Sequence, residues 1–260
     1  MNGRAMNQTT QQFPDGGAIV FGGSGATGGA TARLLAARGC DVAITYQSAA
    51  EKAEQTRAAI AATGRESFAA RCDLLDAAAV DRVTAQAAEQ FGGLHTIVLA
   101  TGRVFSNRPL AEMDNADFQQ QLLTDTIGFS NVIKATVPHL RKGGGAIVVI
   151  MGTTIERIIP NNALAAVPKL AQAGMIKFLA REEAANGIRV NGIAPGVIED
   201  GMSRKVSAGN PAVIAAAAQA TPMGRVGTLS EIAETALFLA GPGSGFITGQ
   251  IVIVDGGMTL

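Results

Sequence analysis

A doubly wound parallel α/β sheet with helices on both faces is the fold that this 260-residue chain predicts, on three observations. Short apolar, β-branched runs alternate with longer helical patterns along the chain. Two of those runs, Ala146-Ile147-Val148-Val149-Ile150 and Ile251-Val252-Ile253-Val254, hold no polar residue, as strands covered on both faces require. A glycine-rich turn follows the first run and opens the first helical stretch.

The elements follow in order. Residues 18–21 are the first strand, and a helix runs from about 28 to 38. Residues 41–46 are the second strand, with a polar amphipathic helix over 50–62. Residues 67–72 are the third, followed by a helix over 77–91. Residues 96–99 are the fourth, and a long helix falls within 114–140. Residues 146–150 are the fifth, with a helix within 167–185. Residues 189–193 and 251–254 complete a seven-stranded sheet. Strand–helix–strand units of this kind connect through right-handed crossovers. No linker or repeat interrupts them, so residues 16–260 are expected to form one domain behind a loose polar tail over 1–15.

Composition narrows the function. Hydrophobic residues make up 47% and charged residues 16%, against a usual charged share of about 25%. A large core and apolar surface for a subunit interface both follow. Net charge is zero, which excludes the electrostatic footprint of a nucleic-acid or anionic-membrane binder. No apolar stretch reaches the roughly 20 residues of a membrane span. The polar first residues are not a signal peptide, and a cytoplasmic setting is expected. Cys40 and Cys72 lack metal-ligand spacing and are expected to be buried thiols.

The segment Gly22-Gly23-Ser24-Gly25-Ala26-Thr27-Gly28-Gly29 contains G-x-G-x-x-G at Gly23, Gly25 and Gly28. Glycine permits the tight turn, lets a pyrophosphate approach bare backbone and allows close helix–strand packing. The anion then meets the unpaired N–H groups of a helix N-terminus. This places the chain among Rossmann-type dinucleotide binders. At the end of the second strand stand Tyr46, Gln47 and Ser48, with Lys52 nearby and no acid. An acid there would hold the ribose hydroxyls and repel a 2′-phosphate. NADP(H) is therefore preferred, with NAD(H) the alternative. Asp73, beside Leu74, either accepts from an adenine amino group or caps the next helix, a role that suits Asp76 better.

The glycine turn, Asp73 and the last third of the chain together resemble the short-chain dehydrogenase/reductase family from about Gly17 to Gly257. The carriers are Gly187-Ile188-Arg189-Val190-Asn191-Gly192-Ile193-Ala194-Pro195-Gly196, Met223-Gly224-Arg225, and Phe246-Ile247-Thr248-Gly249-Gln250 through Val254-Asp255-Gly256-Gly257. The resemblance implies that Ala100, Thr101, Gly102, Pro195, Gly196 and Ile198 also line the dinucleotide, and that residues 199–220 form a substrate lid. It implies a homotetramer acting on a small molecule.

The same resemblance implies a catalytic Tyr-x-x-x-Lys pair, an upstream Ser and an Asn in the preceding long helix. Lys169 stands at the lysine position, but Ala165 lies four residues before it. The longer spacing of the enoyl-reductase branch reaches Asn162, and the chain's one tyrosine is Tyr46. The serine position reads Met151-Gly152, with Thr153 and Thr154 beyond it, and the asparagine position reads Asp125. Pro168 places the start of the Lys169 helix near Val167, with Ala165 before it. Asp125 either pairs with Lys169 or is an exposed helix acid. Thr153 and Thr154 either orient a carbonyl or cap a strand end. Glu156 is expected at the surface, His95 is expected to face solvent and His139 to be structural.

Three functions fit these residues. One is an NADP(H)-dependent oxidoreductase with an atypical site, acting on a small or medium apolar carbonyl or enone. A second is a catalytically degenerate dinucleotide-binding subunit. A third is a lyase or isomerase on the same fold.

Overall fold

The computed structural model describes residues 13–103, 107–207 and 209–260. Its first half alternates strand and helix as β1 (Gly17–Phe21), α1 (Ala26–Ala37), β2 (Asp41–Tyr46), α2 (Ala50–Ala61), β3 (Ser67–Arg71), α3 (Ala77–Gln90) and β4 (Leu94–Leu99). Then come α4 (Asn115–Leu122), α5 (Gly128–Leu140), β5 (Gly145–Ile150), α6 (Ala163–Glu183) and β6 (Ile188–Pro195). The chain finishes with α7 (Met202–Val206), α8 (Pro211–Ala220), α9 (Leu229–Ala240) and β7 (Ile251–Val254).

All seven strands pair in parallel in the order β3-β2-β1-β4-β5-β6-β7. The order reverses between β1 and β4, whose carboxyl ends therefore flank the crevice where ligands of open α/β sheets bind. Apolar strands demand cover on both faces, and two clusters provide it. On one face, Phe21, Ile97, Leu99, Ile147 and Val149 pack with Phe129, Val132 and Ile176 from α5 and α6. On the other, Val20, Ile44, Val98 and Val148 pack with Leu35, Ile232, Leu237 and Leu239 from α1 and α9.

Helix α9 was not anticipated, although Thr228 and Glu231 form a reciprocal capping box at its start. Arg225 and the Thr228 backbone hold the Glu231 carboxyl down to about 2. At the other end, Arg189 donates to the carbonyls of Leu239, Ala240 and Gly241, which α9 leaves unpaired. An Arg141–Glu183 ion pair ties the ends of α5 and α6 together.

Several boundaries differ from expectation. Helix α6 starts at Ala163, not near Val167, and Pro168 lies inside it. Proline offers no N–H there, so the Leu164 carbonyl loses its helical donor. Packing of Leu164 and Ile176 into the core carries the helix through. The long helix expected within 114–140 is α4 and α5 joined by a π turn, Leu123–Ile127. Helix α6 with its terminal 3₁₀ turn is long and apolar enough to cross a membrane, contrary to the sequence reading. Here it is a layer of the fold, with buried Gln172 and Glu183 on it.

Of the tail expected over 1–15, residues 1–12 lie outside the described residues, and Phe13 departs from the expectation. Phe13 is buried and stacks on His95, ring centroids 5.3 Å apart. His95 itself is 3% exposed in β4 rather than solvent-facing, with Nδ1 2.9 Å from Thr96 Oγ1. Burial pushes its imidazole down to about 4. The unfolded chain thus takes up a proton below the ordinary value of 6.5 that the folded chain refuses until about pH 4. Stability is present above 6.5 and is lost on acidification through that window, by up to about 3 kcal/mol. His95→Phe is expected to lose less stability than wild type between pH 7 and pH 5 in denaturant melts. Equal losses would contradict a neutral buried His95.

Candidate functional site

The carboxyl ends of β1 and β4 bring the glycine turn and Ala100-Thr101 together. Gly22 has φ +87°, open to glycine but strained for other residues, and a Cβ there would meet the Ala100 carbonyl oxygen at 2.7 Å. A Cβ on Gly28 would collide with the Gly22 carbonyl. The turn is fixed by Gly25 N–H donating to Gly22 O and by Gly22 N–H donating to Thr45 Oγ1. Helix α1 begins at Ala26, two residues earlier than expected, with Gly25 as its N-cap. No side chain caps it and no acid stands in its first turn. A 12-residue helix with bare N–H groups at a glycine surface suits a pyrophosphate. Ser24 and Thr27 are partly exposed around it. Thr101 Oγ1 is buried beside the turn without a hydrogen-bond partner. Those features fit the dinucleotide that the sequence motif calls for.

At the end of β2, Tyr46 is half-buried and Gln47 and Ser48 are exposed. Gln47 Nε2 donates to Asp73 Oδ2 at 3.2 Å. Asp73 is exposed and also accepts from Leu75 N–H, whereas Asp76 caps α3 through Ala79 N–H. Arg71, at the end of β3, donates to the Gln47 carbonyl at 3.2 Å and so stands beside the β2 terminus. Sequence reasoning missed this cation, because only strand pairing brings Tyr46 opposite Arg71. Leu74 is buried under α5, where Gly128 lets the helix approach and Asn131 Nδ2 donates to the Leu74 carbonyl at 2.8 Å.

On the other side of the crevice, Pro195, Gly196 and Ile198 follow β6. Gly196 N–H donates to the Val254 carbonyl, and Asp255 packs where its Cβ would be. The segment expected as a lid folds as α7 and α8, with residue 208 outside the described set. Its start reaches the glycine turn: a Cβ on Gly201 would touch Ala26, and one on Gly102 would touch Met202.

Between the π turn and α6 lies a polar cluster. Asp125 sits in the π turn and is 1% exposed, which overturns the exposed-acid alternative. Its Oδ1 is 3.5 Å from Lys169 Nζ, and its Oδ2 accepts from Gln121 Nε2 at 3.1 Å. Lys169 Nζ donates to Gln172 Oε1 at 2.9 Å, and Gln172 Nε2 donates to the Asp125 carbonyl at 2.7 Å. Gln121 and Gln172 are both buried and belong to no sequence motif that singles them out. Because α6 starts at Ala163, Ala165 and Lys169 do share a helix face, contrary to expectation. Asn162 is the residue before α6, and its Oδ1 is buried without a partner. Thr153 is buried in a 3₁₀ turn after β5, Thr154 is partly exposed beside it, and Glu156 is exposed as expected. His139 is half-buried near the end of α5, away from this cluster in the chain. Cys40 and Cys72 are buried free thiols, raised by burial to about 12 and about 11.

Removing one member of a buried pair strands the other charge at a cost of about 3–5 kcal/mol. Asp125→Leu is therefore expected to lower unfolding stability by roughly that amount. Asp125→Asn keeps polar partners for Gln121 and Lys169 and should lose less. Equal stability of Asp125→Leu and wild type in urea melts would contradict the pair.

A family model described as enoyl-(acyl carrier protein) reductase matches residues 25–259. The chain is 32% identical over 251 residues to cis-4-hydroxycyclohexanecarboxylate dehydrogenase of Sinomonas cyclohexanicum, covering 96% of this chain and 98% of that one. It is 34% identical over 242 residues to 3-oxoacyl-[acyl-carrier-protein] reductase FabG of Staphylococcus aureus, covering 93% and 97%. The solved short-chain dehydrogenase/reductase from Serratia marcescens superposes with a TM-score of 0.87 at 31% identity, over 96% of this chain and 100% of that one.

Proposed function

Because the chain belongs to the short-chain dehydrogenase/reductase family of oxidoreductases, we propose that it is an NADP(H)-dependent oxidoreductase with an atypical proton site. Its substrate is a small or medium apolar carbonyl compound, the corresponding alcohol, or an enone. The observation that carries this reading is the coexistence of an uncapped glycine-rich helix start with the buried Asp125–Lys169 cluster.

The dinucleotide, when bound, supplies or accepts the hydride. The first turn of α1, with Gly22, Ser24, Gly25, Ala26, Thr27 and Gly28, holds the pyrophosphate. Asp73 and Leu74 border the adenine, while Ala100, Thr101, Gly102, Pro195, Gly196 and Ile198 border the nicotinamide half. Tyr46, Gln47 and Ser48 face the adenosine ribose. Arg71 adds a positive charge there and no acid stands at the carboxyl end of β2, which supports NADP(H) over NAD(H).

Neither Ala165 nor Asn162 offers the phenol that the family pattern places ahead of the lysine. Lys169 therefore takes both tasks: it binds the nicotinamide ribose and gives a proton from Nζ to the oxygen that gains the electron pair. Solvent replaces that proton. The Thr153 hydroxyl, with Thr154 beside it, orients the carbonyl. An enone needs less proton assistance and suits this site, and the enoyl-reductase description of the matching family model supports it. Dehydrogenase and oxoacyl reductase activity, named for two relatives, supports the alcohol–ketone chemistry. The alanine at 165 favours one second reading, a dinucleotide-binding subunit without redox activity.

Residues 16–260 form one catalytic unit with residues 199–220 as a lid. Exposed Val167, Leu170 and Phe178 on α6 and exposed Phe246 and Ile253 near the carboxyl end support assembly into a homotetramer. A cytoplasmic location agrees with the zero net charge and free thiols.

Titration calorimetry is expected to give micromolar NADPH binding and NADH binding weaker by about tenfold or more, a gap of about 1.4 kcal/mol. Arg71→Ala should raise the NADPH dissociation constant and leave that of NADH within about twofold, as loss of one phosphate contact requires. NADPH oxidation with a carbonyl and enone panel separates the enzyme from the degenerate subunit, which binds without turnover. Binding of neither dinucleotide would overturn both.

A further inference from the structure

Lys169 Nζ has three N–H donors and no acceptor, and the Asp125 main-chain carbonyl is acceptor only. Between them lies Gln172, fully buried, with Oε1 2.9 Å from Nζ and Nε2 2.7 Å from the carbonyl. A primary amide is the neutral group that offers a donor to one and an acceptor to the other. The two partners also fix its orientation, since a flipped amide would set N–H against N–H and oxygen against oxygen. The Asp125 carbonyl belongs to the π turn, whose i→i+5 pattern interrupts the ordinary helical ladder. One side chain thus ties the irregular turn between α4 and α5 to the lysine on α6.

We propose that Gln172 is a positioning residue for Lys169, one that the Tyr-x-x-x-Lys pattern does not include. Gln172 Oε1 takes one N–H from the buried side and Asp125 Oδ1 faces the ammonium at 3.5 Å without a hydrogen bond, so two N–H groups are left, one for the dinucleotide ribose and one for the substrate oxygen. The Gln121 amide completes the arrangement by holding Asp125 Oδ2. Without the bridge the four-carbon stem of Lys169 is free to swing, and its alignment with the ribose is lost before its charge is. This inference rests on the reading of Lys169 as the cation that faces the dinucleotide.

The test is a double-variant cycle read by NADPH calorimetry, with thermal melts of each protein. Gln172→Met keeps the length and apolar volume of the side chain and removes both hydrogen bonds. It is expected to weaken NADPH binding about tenfold in the wild-type background, while the same change on Lys169→Met alters binding less than about twofold, the non-additivity of residues that act as a unit. A merely structural glutamine would weaken binding equally in both backgrounds, or would lower the melting temperature with no change in affinity; either result overturns the proposal. Should Gln172→Met give no cooperative melt, Gln172→Glu is run through the same cycle, since it keeps an acceptor toward Lys169 and sets an oxygen against the Asp125 carbonyl. Lys169→Met that binds NADPH as wild type does removes the Lys169 reading itself. Loss in Lys169→Met without loss in Gln172→Met removes only the role of Gln172.

Discussion

Asp125 and Lys169 are drawn out of water, the carboxylate side chain wholly and the ammonium side chain to 13% exposure. Desolvation of two charges is not offset by their mutual attraction alone, because at 3.5 Å the contact is too long for a strong hydrogen bond. The remaining lone pairs and protons need partners, and the local architecture supplies most of them, leaving Asp125 Oδ1 facing the ammonium alone. The π turn between α4 and α5 sets Asp125 against α6. Gln121, one helical turn earlier, reaches its second oxygen, and Gln172 satisfies both the carbonyl above it and the ammonium. The irregular turn thus carries an acid that is buried against α6 and held there by polar partners.

The glycine turn is the second half of the same design. The strand order reverses between β1 and β4, so their carboxyl ends diverge and leave a crevice. Gly22 and Gly28 let backbone meet backbone at its floor, and α1 presents unpaired N–H groups to it. Helix α6, which carries Lys169, packs against β6. In the proposed complex one end of a dinucleotide would meet neutral backbone donors and the other a buried, partnered cation.

Much of this was legible in the sequence. Apolar runs marked the strands, the central ones by their β-branched composition; β3 has no β-branched residue and was placed by its position between two helical patterns. The glycine turn stood out by its local spacing, and Lys169 by the family resemblance. What failed depended on partners distant in the chain. His95 precedes an apolar run and looks like a strand-edge residue, yet Phe13 covers it. Pro168 reads as a helix start, yet core packing of Leu164 extends the helix in front of it. Arg71, Gln121 and Gln172 belong to no motif; strand pairing places the first and the layer between helices places the others. Helices α9 and α8 were missed despite local signals, the Thr228–Glu231 capping box in the one and the Asn210 cap ahead of Pro211 in the other.

The central claim is that a buried polar bridge holds Lys169 at the crevice to serve a dinucleotide whose pyrophosphate rests on α1. A crystal structure of the protein with NADPH tests it most directly. The account predicts the pyrophosphate at the N–H groups of Ala26 to Gly28, the 2′-phosphate beside Arg71, and Lys169 Nζ hydrogen-bonded at once to Gln172 and to a nicotinamide ribose hydroxyl. A dinucleotide bound elsewhere, or one seated on α1 with Lys169 turned away from its ribose, would contradict it.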